Sequence, residues 1–459
     1  MSRASRGVVV SVVVALTGLL GVPAAQAAVT LTLSPTSGPP TTGVHVTGSG
    51  YAPAETVSVT FDGALRASPV ASGSGAISTT ASVPVGALPG THTFTATGAS
   101  SGATASASFL VRTNWNQYRF SLTKSGFNPY ENVLSRTNVA GLAPDWSARI
   151  GGSVQSSPAV VNGVLYLGAS GFDAFNIATG KRLWTRVTGP IYKSSPAVAK
   201  GVVYVGGGNG KLYALEASTG KILFSASTGG AILSSPAVSG GRVFVGSDDG
   251  KIYAFNASTG ARLWTVTTGF GANSSPAVVN GVVYMGSGDF KVYALDAATG
   301  SSKWTATTTS YVSAPPAVVG GAVYVPTENG RVWSFDASTG ALRWSVNEGT
   351  PIYTAPAVAK GLVFVALSDT SVHALATTTG VQSWATPPLG SGLSSPAVAN
   401  GVVYLGDSNG RLDALNSSTG ALLAHPSIGT DAAIAAPVVA DGVVYAGDSL
   451  GRARAFRIP

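Results

Sequence analysis

The stretch Ser234-Ser235-Pro236-Ala237-Val238-Ser239-Gly240-Gly241-Arg242-Val243-Phe244-Val245-Gly246-Ser247-Asp248-Asp249-Gly250-Lys251-Ile252-Tyr253-Ala254-Phe255-Asn256-Ala257-Ser258-Thr259-Gly260-Ala261-Arg262-Leu263-Trp264-Thr265-Val266-Thr267 decides the fold. Apolar and aromatic residues come in four short runs. Gly240-Gly241, Asp249-Gly250 and Ser258-Thr259-Gly260 separate them. Such turns need positive φ, which Gly and Asn tolerate, so the runs read as four antiparallel strands joined by hairpins.

The same phrase recurs. Its Pro stands at Pro158, Pro196, Pro236, Pro276, Pro316, Pro356, Pro396 and Pro437. These define copies 1 to 8, spaced by 38, 40, 40, 40, 40, 40 and 41 residues. Five residues after each Pro comes a Gly, and eight after it an aromatic, from Tyr166 to Tyr445. Four strands per 40 residues is one blade of a β-propeller. A solenoid of hairpins competes, and closure separates the two. The fourth strand carries an aromatic at Trp184, Phe224, Trp264, Trp304, Trp344 and Trp384, with Ala424 in copy 7. Copy 8 has no fourth strand, yet an extra strand around Trp146 precedes copy 1. That strand can complete the last blade and remove the open sheet edges. The expectation is an all-β chain: an eight-bladed β-propeller over residues 113–459, closed by the Trp146 strand.

Two segments precede the ring. Residues 1–27 read as a signal peptide: Arg3 and Arg6, an apolar stretch from Gly7 to Val22, then Ala25-Gln26-Ala27 as a cleavage pattern. Residues 28–112 hold alternating runs such as Val57-Ser58-Val59-Thr60-Phe61, parted by Gly/Pro/Ser clusters, and predict a small β-sandwich. The 45% hydrophobic content excludes disorder as the main state. The absence of Cys excludes disulfides, thiolate metal sites, Cys nucleophiles and a lipid anchor on Cys. The net charge of +8 is dispersed, so nucleic acid is not an expected partner. The expectation is a secreted monomer with no membrane span once the signal is removed.

The phrase Gly210-Lys211-Leu212-Tyr213-Ala214-Leu215-Glu216-Ala217-Ser218-Thr219-Gly220, followed elsewhere by Trp at the fourth position, resembles the quinoprotein-type repeat named after pyrroloquinoline quinone (PQQ). The lead-in Trp115, Tyr118-Arg119, Gly126-Phe127-Asn128-Pro129 is similar as well. The segments Ser34-Pro35-Thr36-Ser37-Gly38 and Val46 to Pro53 resemble Ig-like modules of secreted bacterial proteins. The PQQ resemblance implies a propeller in which Trp146, Trp184, Phe224, Trp264, Trp304, Trp344 and Trp384 dock each blade on the next. It implies three possible roles: quinone-dependent dehydrogenase, assembly scaffold, or extracellular binding domain. The dehydrogenases of the family need a carboxylate and amide cage for Ca²⁺, a catalytic acid, and often a vicinal Cys pair. The pair is absent and the regular spacing leaves no long insertions, so neither PQQ nor Ca²⁺ is an expected cofactor. The quinone- and Ca-dependent dehydrogenase is the alternative to a secreted binding or scaffold protein with no catalytic residues.

Several motifs dissolve on inspection. Gly406-Asp407-Ser408-Asn409-Gly410 and Gly447-Asp448-Ser449-Leu450-Gly451 match the nucleophile elbow, but they align with a hairpin turn rather than a strand-to-helix turn. The acids between second and third strands, Asp248, Asp249, Asp289, Glu328, Asp369, Asp407 and Asp448, read as turn residues, with a cation-binding ring on one face as the alternative. At the position of Tyr213, Tyr253 and Tyr293 stand Asp173, His373 and Asp413 in copies 1, 6 and 7. Those copies are not all adjacent, so no shared site is expected there. The copies differ most in the linker before each Pro. Gln155, Tyr192, Lys193, Asn273, Tyr311 and Tyr353 lie there and form the candidate ligand face, for an envelope protein or a glycan.

Overall fold

The computed structural model describes residues 28–191, 193–428 and 432–459. The leader expected over 1–27 lies outside them, as does Tyr192. The chain divides into two compact units, the first ending at Thr113 and the second running from Asn114 to Pro459.

The first unit pairs a three-stranded sheet with a five-stranded one. Thr30–Ser34, Gly43–Ser49 and Ile77–Ser82 form the smaller. Ser37–Gly38, Thr104–Val111, Gly90–Gly98, Val57–Phe61 and Ala64–Ala67 form the larger. Alternate residues point inward. Leu33, Val46, Val59, Phe94 and Phe109 share one core. His92 is a clamp near the start of the central strand Gly90–Gly98. Its Nδ1 meets Asp62 Oδ2 at 2.5 Å and its Nε2 meets the Leu88 carbonyl at 2.8 Å.

In the second unit each copy folds into an antiparallel sheet in chain order. Copy 3 uses Ala237–Ser239, Arg242–Ser247, Lys251–Asn256 and Arg262–Thr267. Eight such sheets are present among the described residues. In the last, Ala143–Arg149 pairs with Arg452–Arg457, with Trp146 opposite Ala455. The chain's early strand therefore supplies the outermost strand of the final sheet. Each first strand touches the first strand of the next sheet, and that of copy 8 touches that of copy 1. The sheets thus form a closed β-propeller ring.

One joint repeats around the ring. The indole Nε1 of Trp184, Trp264, Trp304, Trp344 and Trp384 donates to a carbonyl of the following sheet, at 2.9–3.2 Å. Trp146 does the same to Ile177 at 2.8 Å. The Tyr of the second strand shares the acceptor. Tyr284 Oη and Trp304 Nε1 both donate to Ala337 O, each at 2.9 Å. The indole lies on the Thr-Gly of the neighbour. A Cβ on Gly300 would sit 2.8 Å from the Trp264 ring, so only Gly fits there.

The Ser-Ser-Pro phrase forms a second belt, nearer the axis. Ser157 N–H donates to Ser195 Oγ, Ser195 N–H to Ser235 Oγ, and Ser235 N–H to Ser275 Oγ, at 2.8–3.0 Å. The first Ser of the phrase ties its own sheet, as in Gly246 N–H to Ser234 Oγ at 2.9 Å. Buried amides at the sheet joints thereby find partners.

The lead-in closes one end of the channel. Residues 115–128 run across the innermost strands and bond seven of the eight. Val198, Val278, Val318, Val358 and Val398 donate N–H to Asn116, Leu122, Thr123, Ser125 and Gly126 carbonyls at 2.7–2.9 Å. Trp115 exchanges two bonds with Val160, and Asn128 Nδ2 donates to Val439 O. Arg119 and Lys124 are buried in this plug. Arg119 Nη2 donates to Pro356 O at 2.8 Å, and Lys124 Nζ stands 5.8 Å over the Tyr118 ring with no hydrogen-bond partner. Burial, with Arg119 alongside, pushes the Lys124 ammonium down to about 7.

Candidate functional site

The plug lies where the first strands end, beside the first-to-second turns. The opposite face is built from linkers and second-to-third turns, which hydrogen-bond to one another. Asp248 N–H donates to Ala231 O, Gly288 N–H to Gly271 O, and Glu328 N–H to Tyr311 O. Each turn leans on the linkers beside it, so the rigid sheets hold this loop face in place.

Three aromatic side chains gather on it. Phe270 comes from the linker before copy 4, Phe290 from the turn of copy 4, and Tyr311 from the next linker. Tyr311 packs on Phe290 at 5.0 Å between ring centroids with an interplanar angle of 84°, and on Phe270 at 5.9 Å and 53°. They remain open to solvent, at 61% for Phe270, 39% for Phe290 and 41% for Tyr311. Phe290 has φ +67, where Gly210, Gly250, Gly330, Gly410 and Gly451 occupy the same turn position in other copies. Holding a bulky residue in the left-handed region costs about 1–3 kcal/mol. Its backbone role is unchanged. Phe290 O accepts from Thr308 N–H at 2.7 Å, as Gly250 O accepts from Thr268 N–H at 2.8 Å. Thr370 takes the same conformation in copy 6 but is buried, whereas at Phe290 the strained backbone presents a solvent-open ring.

Of the sequence-derived ligand face, Tyr311 enters this cluster. Gln155, Lys193 and Tyr353 are exposed on other linkers, and no ring contact or hydrogen bond joins them to it among the described residues. Asn273 is half-buried, with its Oδ1 buried and unpartnered. Tyr192 lies outside the described residues. Phe270 and Phe290 were overlooked, although alignment of the copies exposes both. Gly230 and Ser310 stand where Phe270 does, and where Phe290 stands five other copies have Gly and copy 6 has Thr370.

A second departure from the repeat lies in copy 6. His373 Nδ1 meets Glu348 Oε2 at 2.5 Å, and its Nε2 meets Ser371 Oγ at 3.1 Å. The order Ser–His–Glu is that of a nucleophilic triad. However, Ser371 is 4% exposed, and its hydroxyl donates to Asp369 Oδ1 at the shorter distance of 2.6 Å. The arrangement is a hydrogen-bond relay between linker and sheet.

The expectation about the polar substitutions needs correction. Copy 8 carries Arg454 at the same register position, opposite Ala446 as Asp413 is opposite Leu405. Because copy 8 abuts copy 1, the polar residues His373, Asp413, Arg454 and Asp173 occupy four consecutive sheets. Tyr213, Tyr253, Tyr293 and Trp333 occupy the other four. The sequence comparison left out Arg454 and with it the adjacency.

A quinone centre with Ca²⁺ requires converging oxygen ligands and a nearby acid. Among the described residues no group of three or more His, Cys, Asp or Glu is placed to hold a metal ion.

Residues 173–313 and 292–459 match the family model described as outer membrane protein assembly factor BamB. Residues 25–111 match a macroglobulin-like domain. No curated protein matches the chain. Among solved structures, BamB from Moraxella catarrhalis is similar at 22% identity and a TM-score of 0.61, over 69% of this chain and 97% of that one. The quinohemoprotein alcohol dehydrogenase from Comamonas testosteroni aligns at 18% identity and 0.64, over 75% and 80%. The computationally designed Ika8 protein aligns at 21% and 0.61, over 68% and 98%. Likeness at these identities is of fold alone, across proteins of different purpose. The family model spans more than half of the chain, which therefore belongs to the BamB-like PQQ-repeat family and carries a macroglobulin-like, Ig-type domain ahead of its repeats.

Proposed function

We propose that this is a secreted binding or scaffold protein of the bacterial envelope or medium, without chemistry of its own. In this reading a signal peptide is removed and an Ig-like sandwich precedes an eight-bladed propeller. The loop face of that propeller docks a polypeptide partner. The observation that carries it is the strained, solvent-open Phe290 beside Phe270 and Tyr311. Exposed aromatic residues held in place at a backbone cost are the anchors of protein interfaces. The rings meet at steep angles, so they make a corner that fits an apolar side chain. A flat platform for stacking a sugar would need them near parallel.

The test is selection of displayed peptides on the purified protein and on a Phe270→Ala/Phe290→Gly/Tyr311→Ala variant. Phe290→Gly relieves the strained turn, so the variant keeps its fold. Peptides rich in apolar anchors are expected to bind the wild type and to lose at least tenfold in affinity on the variant. Equal retention by both proteins, or binding of envelope glycans that the variant abolishes, would reject the polypeptide reading.

A further inference from the structure

The half-ring of polar substitutions contains an unbalanced charge. In copy 8, Asp448 is fully buried. Its Oδ1 accepts Arg452 N–H at 2.9 Å, and its Oδ2 pairs with Arg454 Nε at 2.7 Å. In copy 1, buried Asp173 faces Arg182 Nε at 3.0 Å. Copy 7 has the same frame as copy 8. Asp407 is fully buried, and its Oδ1 accepts Asn409 N–H at 2.9 Å and Arg411 N–H at 2.7 Å. At the position of Arg454, however, stands a second acid, Asp413, 2% exposed. Among the described residues the Oδ2 atoms of Asp407 and Asp413 are both buried without a hydrogen-bond partner. Among the described residues no ion pair to a Lys, Arg or His is formed by either carboxylate, and Arg411 acts on Asp413 only from beyond ion-pair distance.

We infer that Asp407 and Asp413 together hold a hard divalent cation, at the place where the next copy holds the guanidinium of Arg454. Two buried carboxylates at the positions where copy 8 sets Asp448 against Arg454 are costly unless positive charge lies with them. A proton would neutralise one of the two charges, whereas a divalent ion balances both. Carboxylate oxygens select Ca²⁺ or Mg²⁺ over the softer metals. With two carboxylates, the other ligand positions fall to main-chain oxygens and water. The linker leaves room for this, because Gly390 sets bare backbone against Asp407, and a Cβ there would lie 2.5 Å from Oδ2. This site is separate from the aromatic corner and does not depend on the binding role.

The protein is stripped with chelator, dialysed against CaCl₂ or MgCl₂, and assayed for retained metal and for melting temperature. The wild type is expected to retain a single ion per chain and to melt several degrees higher with it. Asp413→Arg, which installs the pair of copy 8, is expected to lose the ion and to melt at one temperature with or without metal. Asp413→Asn is scored the same way should the Arg variant misfold, with circular dichroism reporting its fold. Failure of the wild type to retain an ion overturns the inference in favour of a shared proton. Equal retention by the wild type and the folded variant overturns it in favour of adventitious binding elsewhere.

Discussion

At the scale of single residues, the Gly positions separate two demands that the sequence writes with one letter. Gly163 has φ +81, with nothing within 4 Å of the Cβ it lacks. Gly300 has φ +76 and the Trp264 ring 2.8 Å from that point. Gly163→Ala should therefore cost about 1–2 kcal/mol, the left-handed penalty alone. Gly300→Ala should add about 1–3 kcal/mol of overpacking, because the displaced indole also loses its bond to Ala297 O. Urea unfolding of the two variants reads the difference, and equal losses would show that the joint yields freely. The alternation of the copies revealed where Gly recurs. It did not reveal which Gly faces an indole, since that contact joins residues of two different sheets.

At the scale of elements, the plug matters most and was least legible. Its residues 115–128 belong to no repeat, so no internal comparison marks them. Their role comes mostly from main-chain carbonyls that meet one N–H from each of six sheets, and carbonyls leave no trace in side-chain type. The buried Lys124 supplies a handle. Its ammonium titrates lower in the fold than in the unfolded chain, so the unfolded state binds more protons between about pH 7 and pH 10.5. Stability should rise with pH across that window and show no further contribution from this group below it. Lys124→Met should be the more stable protein at pH 6. Its advantage over the wild type should shrink by about 1.4 kcal/mol per pH unit between 7 and 10. Urea unfolding at pH 6, 8 and 10 measures this, and a constant gap would show that Lys124 finds a partner.

At the scale of the whole molecule, stability rests on closure. The strand Ala143–Arg149 covers the edge of Arg452–Arg457, and the plug bonds seven sheets at once. A chain starting at Ile150 should expose that edge and an open channel end. It should elute as aggregates on size exclusion, whereas a compact monomer would show that the remaining sheets close without help. The 40-residue period, the hairpin turns, the spare Trp strand and the missing fourth strand determined the all-β repeat fold and its means of closing. They did so because strand alternation and turn chemistry act over a few residues. Tertiary structure alone decided which departures from the repeat meet. Phe270, Phe290 and Tyr311 form one corner because neighbouring linkers and a turn bring together residues that the chain keeps apart, and Asp407 and Asp413, on one hairpin, are buried by the sheets packed around it.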